Sequence, residues 1–165
     1  MVKIFSLEWT TPPLVYKHKG FLNIPELVKF VRGWLSSELY LFFETKHVHK
    51  SDEDEIEVYG KRKLNEYVQY TLYVEMKADE QSEVEIVKEG QKIKTQKGRI
   101  KVTVHGTMNL DWQKRFAGNK VLQYIQDFYH RYIIKEKIED VWQDHLMLKA
   151  VTLKSKIQEK LESEL

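Results

Sequence analysis

The 165-residue chain contains no cysteine. Disulfides, thiolate metal sites, iron–sulfur clusters and cysteine nucleophiles are therefore excluded. Proline is scarce, with three residues at positions 12, 13 and 25, so most of the chain is open to regular backbone pairing. No run approaches the roughly 20 apolar residues that a helix needs to cross a bilayer. The opening M1-V2-K3-I4-F5-S6-L7-E8-W9 has neither the apolar core nor the small-residue cleavage site of a secretory signal. An integral membrane protein is not expected, and the cytoplasm is the expected location. A strong charge of one sign is also missing: 27 basic side chains face 25 acidic ones, for a net +2. Global attraction to a charged partner is correspondingly weak.

What the chain does have is length for one domain, 42% apolar residues, and 20 aromatic side chains, more than a minimal core requires. Residues 1–165 read as a single α+β domain, with 137–165 a helical C-terminal extension. The strongest pattern lies between 67 and 110. In Y67-V68-Q69-Y70-T71-L72-Y73-V74-E75-M76, Val68, Tyr70, Leu72, Val74 and Met76 share one face. In R99-I100-K101-V102-T103-V104-H105-G106-T107-M108, Ile100, Val102, Val104, Gly106 and Met108 do the same. Period-two alternation of this length predicts strands with one apolar and one wet face, usually antiparallel. Further strands are expected at 15–21, 39–49, 55–64 and 83–88, with a weaker N-terminal one at 2–9. Polar turns are expected at 50–54, 78–82, 89–91 and 97–98, giving a sheet of five to six strands.

Three segments carry helical spacing. Over 24–37, Asn23 is the predicted cap, Pro25 sits in the first turn, and Leu27, Phe30, Val31, Trp34 and Leu35 form one apolar face. Asp111 is the predicted cap of a long helix beginning at Trp112. Its stripe of Phe116, Leu122, Ile125, Phe128, Tyr129, Tyr132 and Ile133 is the expected cover for the sheet. A further helix over 137–162 has a charged tail that would project, or join copies of the chain into a homo-oligomer.

The order V15-to-F21 strand, I24-to-S36 helix, meander through R99-to-M108, then the W112-to-K135 helix resembles the helix-grip fold of the START/Bet v 1-like superfamily. That resemblance covers roughly 14–135 and implies an antiparallel sheet wrapped against a long C-terminal helix. It also implies an apolar ligand such as a sterol, lipid or polyketide.

The expected function is thus binding of a hydrophobic small molecule or lipid between sheet and helix, with Tyr40, Phe42, Tyr70, Leu72, Phe128 and Tyr132 as lining residues. Aromatic area and a few phenols suit a pocket of that kind; the competing reading of the same residues is a solid, close-packed core. The alternative function is a non-enzymatic protein-interaction or nucleic-acid-binding module. It would use the helical tail and a basic hairpin in which Lys92, Lys94, Lys97 and Arg99 contact phosphates. The competing reading there is a solvated sheet edge. His47 and His49 share a strand face but lack a compact zinc ligand set, so no metal is expected. Asp127 and His130 share a helix face with no nucleophile elbow beside them. Glycines are scattered without a phosphate-cradling motif. No residue set supports catalysis, and no cofactor is expected.

Overall fold

A computed structural model describes residues 6–163; the part of the predicted 2–9 strand that precedes Ser6 lies outside them. Six strands form one antiparallel sheet: β1 (Glu8–Thr10), β2 (Leu14–Leu22), β3 (Leu41–His49), β4 (Asp54–Lys63), β5 (Val68–Lys88) and β6 (Gln91–Leu110). The order across it is β1-β6-β5-β4-β3, and β2 continues the β1 edge along β6. Pro12 and Pro13 fall between those two edge strands, where a missing ladder donor costs nothing. Three α-helices follow the chain order: α1 (Ile24–Ser37), α2 (Lys120–Tyr132) and α3 (Asp144–Glu162). A π-helical segment, Lys137–Gln143, leads directly into α3.

The alternation read from sequence sets the inner face. Val68, Tyr70, Leu72, Val74 and Met76 of β5 are buried beside Ile100, Val102, Val104 and Met108 of β6. α1 occupies the predicted residues, and the Asn23 side chain accepts from the Glu26 backbone N–H, satisfying one orphan donor of the first turn.

Three expectations are corrected. The first is the cover. Leu146, Ala150, Leu153, Ile157 and Leu161 of α3 are buried, together with Ile138 and Trp142 of the π-helical segment. α3 packs on β6, β2 and α1, whereas α2 takes part in none of the close packings between elements. Leu146 comes so near the sheet that a Cβ on Gly106 would sit 2.8 Å from its Cδ1. The long helix that the sheet wraps is thus 137–162, and its apolar side is spent inside the domain.

The second concerns the turns expected at 78–82 and 97–98: both lie inside continuous strands, β5 and β6, and face each other across a bulge. Pairing shifts between Asp79 and Ser82, so Glu80 and Gln81 together oppose Gly98. A Cβ on Gly98 would lie 2.8 Å from the Asp79 carbonyl, which is why the small residue is needed there. The third is the start of α2. Lys114 and Gly118 adopt positive φ, so 112–119 turns instead of coiling. Asp111 accepts from the backbone N–H groups of Arg115 and Phe116 within that turn. Asn119 is the real cap, accepting from Val121 and Leu122.

Candidate functional site

α2 is inside out. Its buried residues are Gln126, Asp127 and His130, while Val121, Leu122, Tyr124, Ile125, Phe128, Tyr129, Tyr132 and Ile133 are all exposed. With α3 already on the sheet, the apolar stripe has no core to enter. Polar contacts hold the other face down instead. The Gln126 amide donates to the Tyr67 hydroxyl over 2.8 Å, and that hydroxyl lies 2.5 Å from His130 Nε2. An oxygen that accepts from Gln126 has its own proton to give, so Tyr67 donates and His130 Nε2 accepts as a neutral ring. Burial agrees with this assignment, pushing the His130 imidazole below its usual range and the Tyr67 phenol up to about 12. Asp127 pairs with Arg131 at 2.8 Å, one turn along the same helix.

Tyr67 is placed by the tight turn between β4 and β5. The Asn65 side chain accepts from the backbone N–H of both Tyr67 and Val68. Trp112 donates its indole N–H to the Asn65 carbonyl, and Lys63 lies over the Trp112 ring. Phe116 meets Tyr67 edge to face, with ring centroids 6.5 Å apart.

Between this turn, the inner flank of α2 and the π-helical segment runs a groove of about 600 Å³. Its lining combines Tyr67, Phe116, Ile125, Tyr129, Ile134 and Trp142 with the polar side chains of Gln126, Arg115, Glu66 and Lys137. Arg115 is tied to Glu66, and Lys137 lies over the Trp142 ring. The π-helical segment therefore contributes directly to the site, as such irregular turns often do.

The six predicted lining residues separate into two groups. Tyr40, Phe42, Tyr70 and Leu72 gather on the inner face of the sheet, where Phe42, Gly60 and Leu72 stand in register across β3, β4 and β5. Tyr40, Tyr70 and Leu72 are fully buried there. Tyr70 donates to the Trp142 carbonyl over 2.7 Å, while the buried Tyr40 hydroxyl has no hydrogen-bond partner among the described residues. Phe128 and Tyr132 are 57% and 73% exposed and touch each other, not the sheet. The groove instead uses Tyr67, Phe116 and Trp142. Tyr67 lies 63 residues from His130, and no spacing rule joins positions so far apart.

Two of the four hairpin cations meet acids of the same sheet, and Lys92 has no ion-pair partner among the described residues. Arg99 pairs with Asp79 and Glu80, Lys94 lies near Glu83, and Lys97 sits over the Phe21 ring. One row further in, Lys17, Lys101 and Lys77 stand directly opposite one another on β2, β6 and β5. Lys77 is balanced by Glu75 and Glu55, but Lys17 and Lys101 have no ion-pair partner among the described residues. The same outer face carries an aromatic row of Phe43, Tyr59, Tyr73 and His105, with successive centroids 5.0, 5.8 and 4.8 Å apart. The two middle rings are flanked on both sides by their neighbours and offer no open face. Glu55, Glu57 and Glu75 cluster nearby, each with Lys46 or Lys77 as an ion-pair partner. His49 lies 2.5 Å from Asp54, whose other oxygen accepts from Gln81, so that histidine closes a local polar contact.

Among the described residues no helix is long and apolar enough to cross a membrane. Compared with family models, with curated proteins and with solved structures, the chain matches none.

Proposed function

We propose that the protein reversibly binds a hydrophobic small molecule or lipid, and that the ligand lies in the groove beside α2, not between the sheet and α3. The observation that carries this reading is the composition of the groove. Its lining is largely aromatic and aliphatic, and it includes the polar pair Tyr67 and Gln126, backed by the hydrogen bond between Tyr67 and His130. An apolar lining with a few fixed polar groups is the usual design of a small-molecule site, and about 600 Å³ falls within the common range. The Tyr67 hydroxyl and the Gln126 amide would orient a polar end, while Trp142 and Tyr129 would cover the apolar body.

Trp142 gives the assay a reporter. Titration with a panel of fatty acids and isoprenoid alcohols should change its fluorescence saturably. Ile125→Trp, which fills the groove, should weaken binding by about tenfold or more while leaving stability near wild type, since about 1.4 kcal/mol of lost contact suffices. No saturable ligand in the panel, together with no retained small molecule in native mass spectra of gently purified protein, would overturn the proposal.

A second reading is favoured by the lysine row on the outer sheet face. Like charges placed directly opposite are destabilising, so Lys17 and Lys101 beside Lys77 make sense as a contact for a polyanion such as a nucleic-acid backbone. Binding would then fall steeply with salt, and Lys17→Ala with Lys101→Ala would abolish it. A single strand that fails to bind at low ionic strength removes this reading.

A further inference from the structure

The groove uses only the inner flank of α2. The outer arc, Val121, Tyr124, Phe128 and Tyr132, recurs at spacings of three and four along the helix and points away from the protein. We infer that this arc lies flat on an anionic lipid surface. The inference goes beyond the groove reading and does not depend on it.

Three observations select this occupant. The first is orientation. A helix that rests on a bilayer needs its polar side satisfied from above and its apolar side free below. Here Gln126 and His130 are held by Tyr67 on the protein side, and the apolar arc is bare among the described residues. The second is size and side-chain type. Thirteen residues give a helix of about 20 Å, too short to span a bilayer but suited to lying in its interface. Three of the four arc residues are aromatic, Tyr124 and Tyr132 beside Phe128, and amphipathic rings such as the two tyrosines settle at headgroup depth.

The third is charge. Residues 112–137 carry six basic side chains against two acidic ones, in a chain whose overall excess is only +2. Arg131 is tied to Asp127 and Arg115 to Glu66. That leaves Lys114 and Lys120 before the arc and Lys135 after it, so cations bracket the apolar surface at both ends. A second copy docked on this face would bring the two basic sets together, which like-charge juxtaposition opposes. An anionic headgroup layer is attracted by the same lysines, each contributing about fivefold in partition.

The test is cosedimentation of the full chain with vesicles of phosphatidylcholine alone and of phosphatidylcholine with phosphatidylserine. Binding is expected only to the anionic vesicles, weakening as salt rises. Phe128→Ser combined with Tyr132→Ser should reduce it by more than about tenfold. Lys120→Glu combined with Lys135→Glu should also reduce it strongly, with the folded spectrum unchanged in both variants. Phe116→Ala removes a groove wall but leaves the outer arc and the Tyr67–Gln126–His130 hydrogen bonds in place, so it should keep wild-type vesicle binding even where ligand affinity falls. The inference is overturned if anionic vesicles are not bound at low salt, if neutral vesicles bind equally, or if the serine variant binds like wild type. It is equally overturned if the protein sediments as a dimer that the serine variant dissociates, because the arc would then belong to a second copy.

Discussion

Gly106 offers the sharpest test of how closely α3 is seated on the sheet. In an unhindered strand position, glycine to alanine stabilises a protein by about 0.4–1 kcal/mol, because the unfolded chain loses freedom. At Gly106 the added methyl would meet Leu146 Cδ1 at 2.8 Å, Leu146 Cγ at 3.0 Å and Leu72 Cδ2 at 3.2 Å. Both leucines are fully buried, so neither can swing into solvent. Overpacking of this kind typically costs about 1–3 kcal/mol, which exceeds the entropic gain. Leu146→Ala alone removes the obstructing atoms and should cost about 2–5 kcal/mol through the cavity it leaves. The double variant is the informative one. The new methyl would then enter space vacated by Leu146, so the combined loss should be smaller than the sum of the single losses by about 0.5–3 kcal/mol. Urea unfolding of the four proteins measures this coupling. Phe128→Ala is the control and should cost within about 0.5 kcal/mol, since the ring is mostly exposed. A neutral Gly106→Ala with strict additivity would refute close seating of α3 and reopen the sheet–helix space to a ligand.

Two further outcomes follow from buried polar groups. Tyr40→Phe removes a hydroxyl that is buried without a hydrogen-bond partner among the described residues and should raise thermal stability, by up to about 1–3 kcal/mol; a loss in calorimetry would show that the hydroxyl is satisfied. Burial holds the imidazole of His130, like those of His105 and His145, below its usual range, although Asp127 and Asp111 partly offset this for His130. The unfolded chain takes up these protons near pH 6.5, so stability should decline as pH falls from about 6.5 toward the lower folded values. His130→Asn should shrink the loss between pH 7 and pH 5, and an unchanged loss in denaturant titrations would sink that assignment.

The parts legible in the sequence are those fixed by local chemistry. Alternation in 67–76 and 99–108 assigns each side chain to a face, because a strand has only two. Asn23, Pro25 and Glu26 mark the first turn of α1 unambiguously, since cap, N-terminal proline and acid all agree. The competition between two amphipathic helices for one sheet was not legible. α2 has the richer apolar stripe, yet α3 takes the place. Its buried line of Leu146, Ala150, Leu153 and Ile157 is aliphatic, and Leu146 seats directly over the glycine of β6. The rings of Phe128, Tyr129 and Tyr132 are too bulky for such an approach. Counting apolar residues ranks amount, whereas the sheet selects for shape. The polar run 78–82 likewise looked like a turn because polarity alone does not reveal that Gly98, about twenty residues later, makes room for a bulge. Tyr67 escaped notice because its partners Gln126 and His130 are brought to it only by the tertiary fold.

The position of α3 in the chain order has a consequence for biosynthesis. Every strand is made before the helix that covers the sheet. At roughly 5–20 residues per second, the strands ending at Leu110 wait several seconds for residues 144–162. During that interval the row Leu72, Val74, Val102 and Val104 is a bare apolar surface on a nascent chain. α2, which emerges first, carries aromatics that fit the sheet poorly and so makes a weak competitor for that surface. Premature termination before Leu146 would leave the sheet face permanently open and prone to aggregation, whereas loss of residues after Leu161 would be borne easily. The helix that arrives last thus acts as the checkpoint between a chain that is merely synthesised and one that is finished.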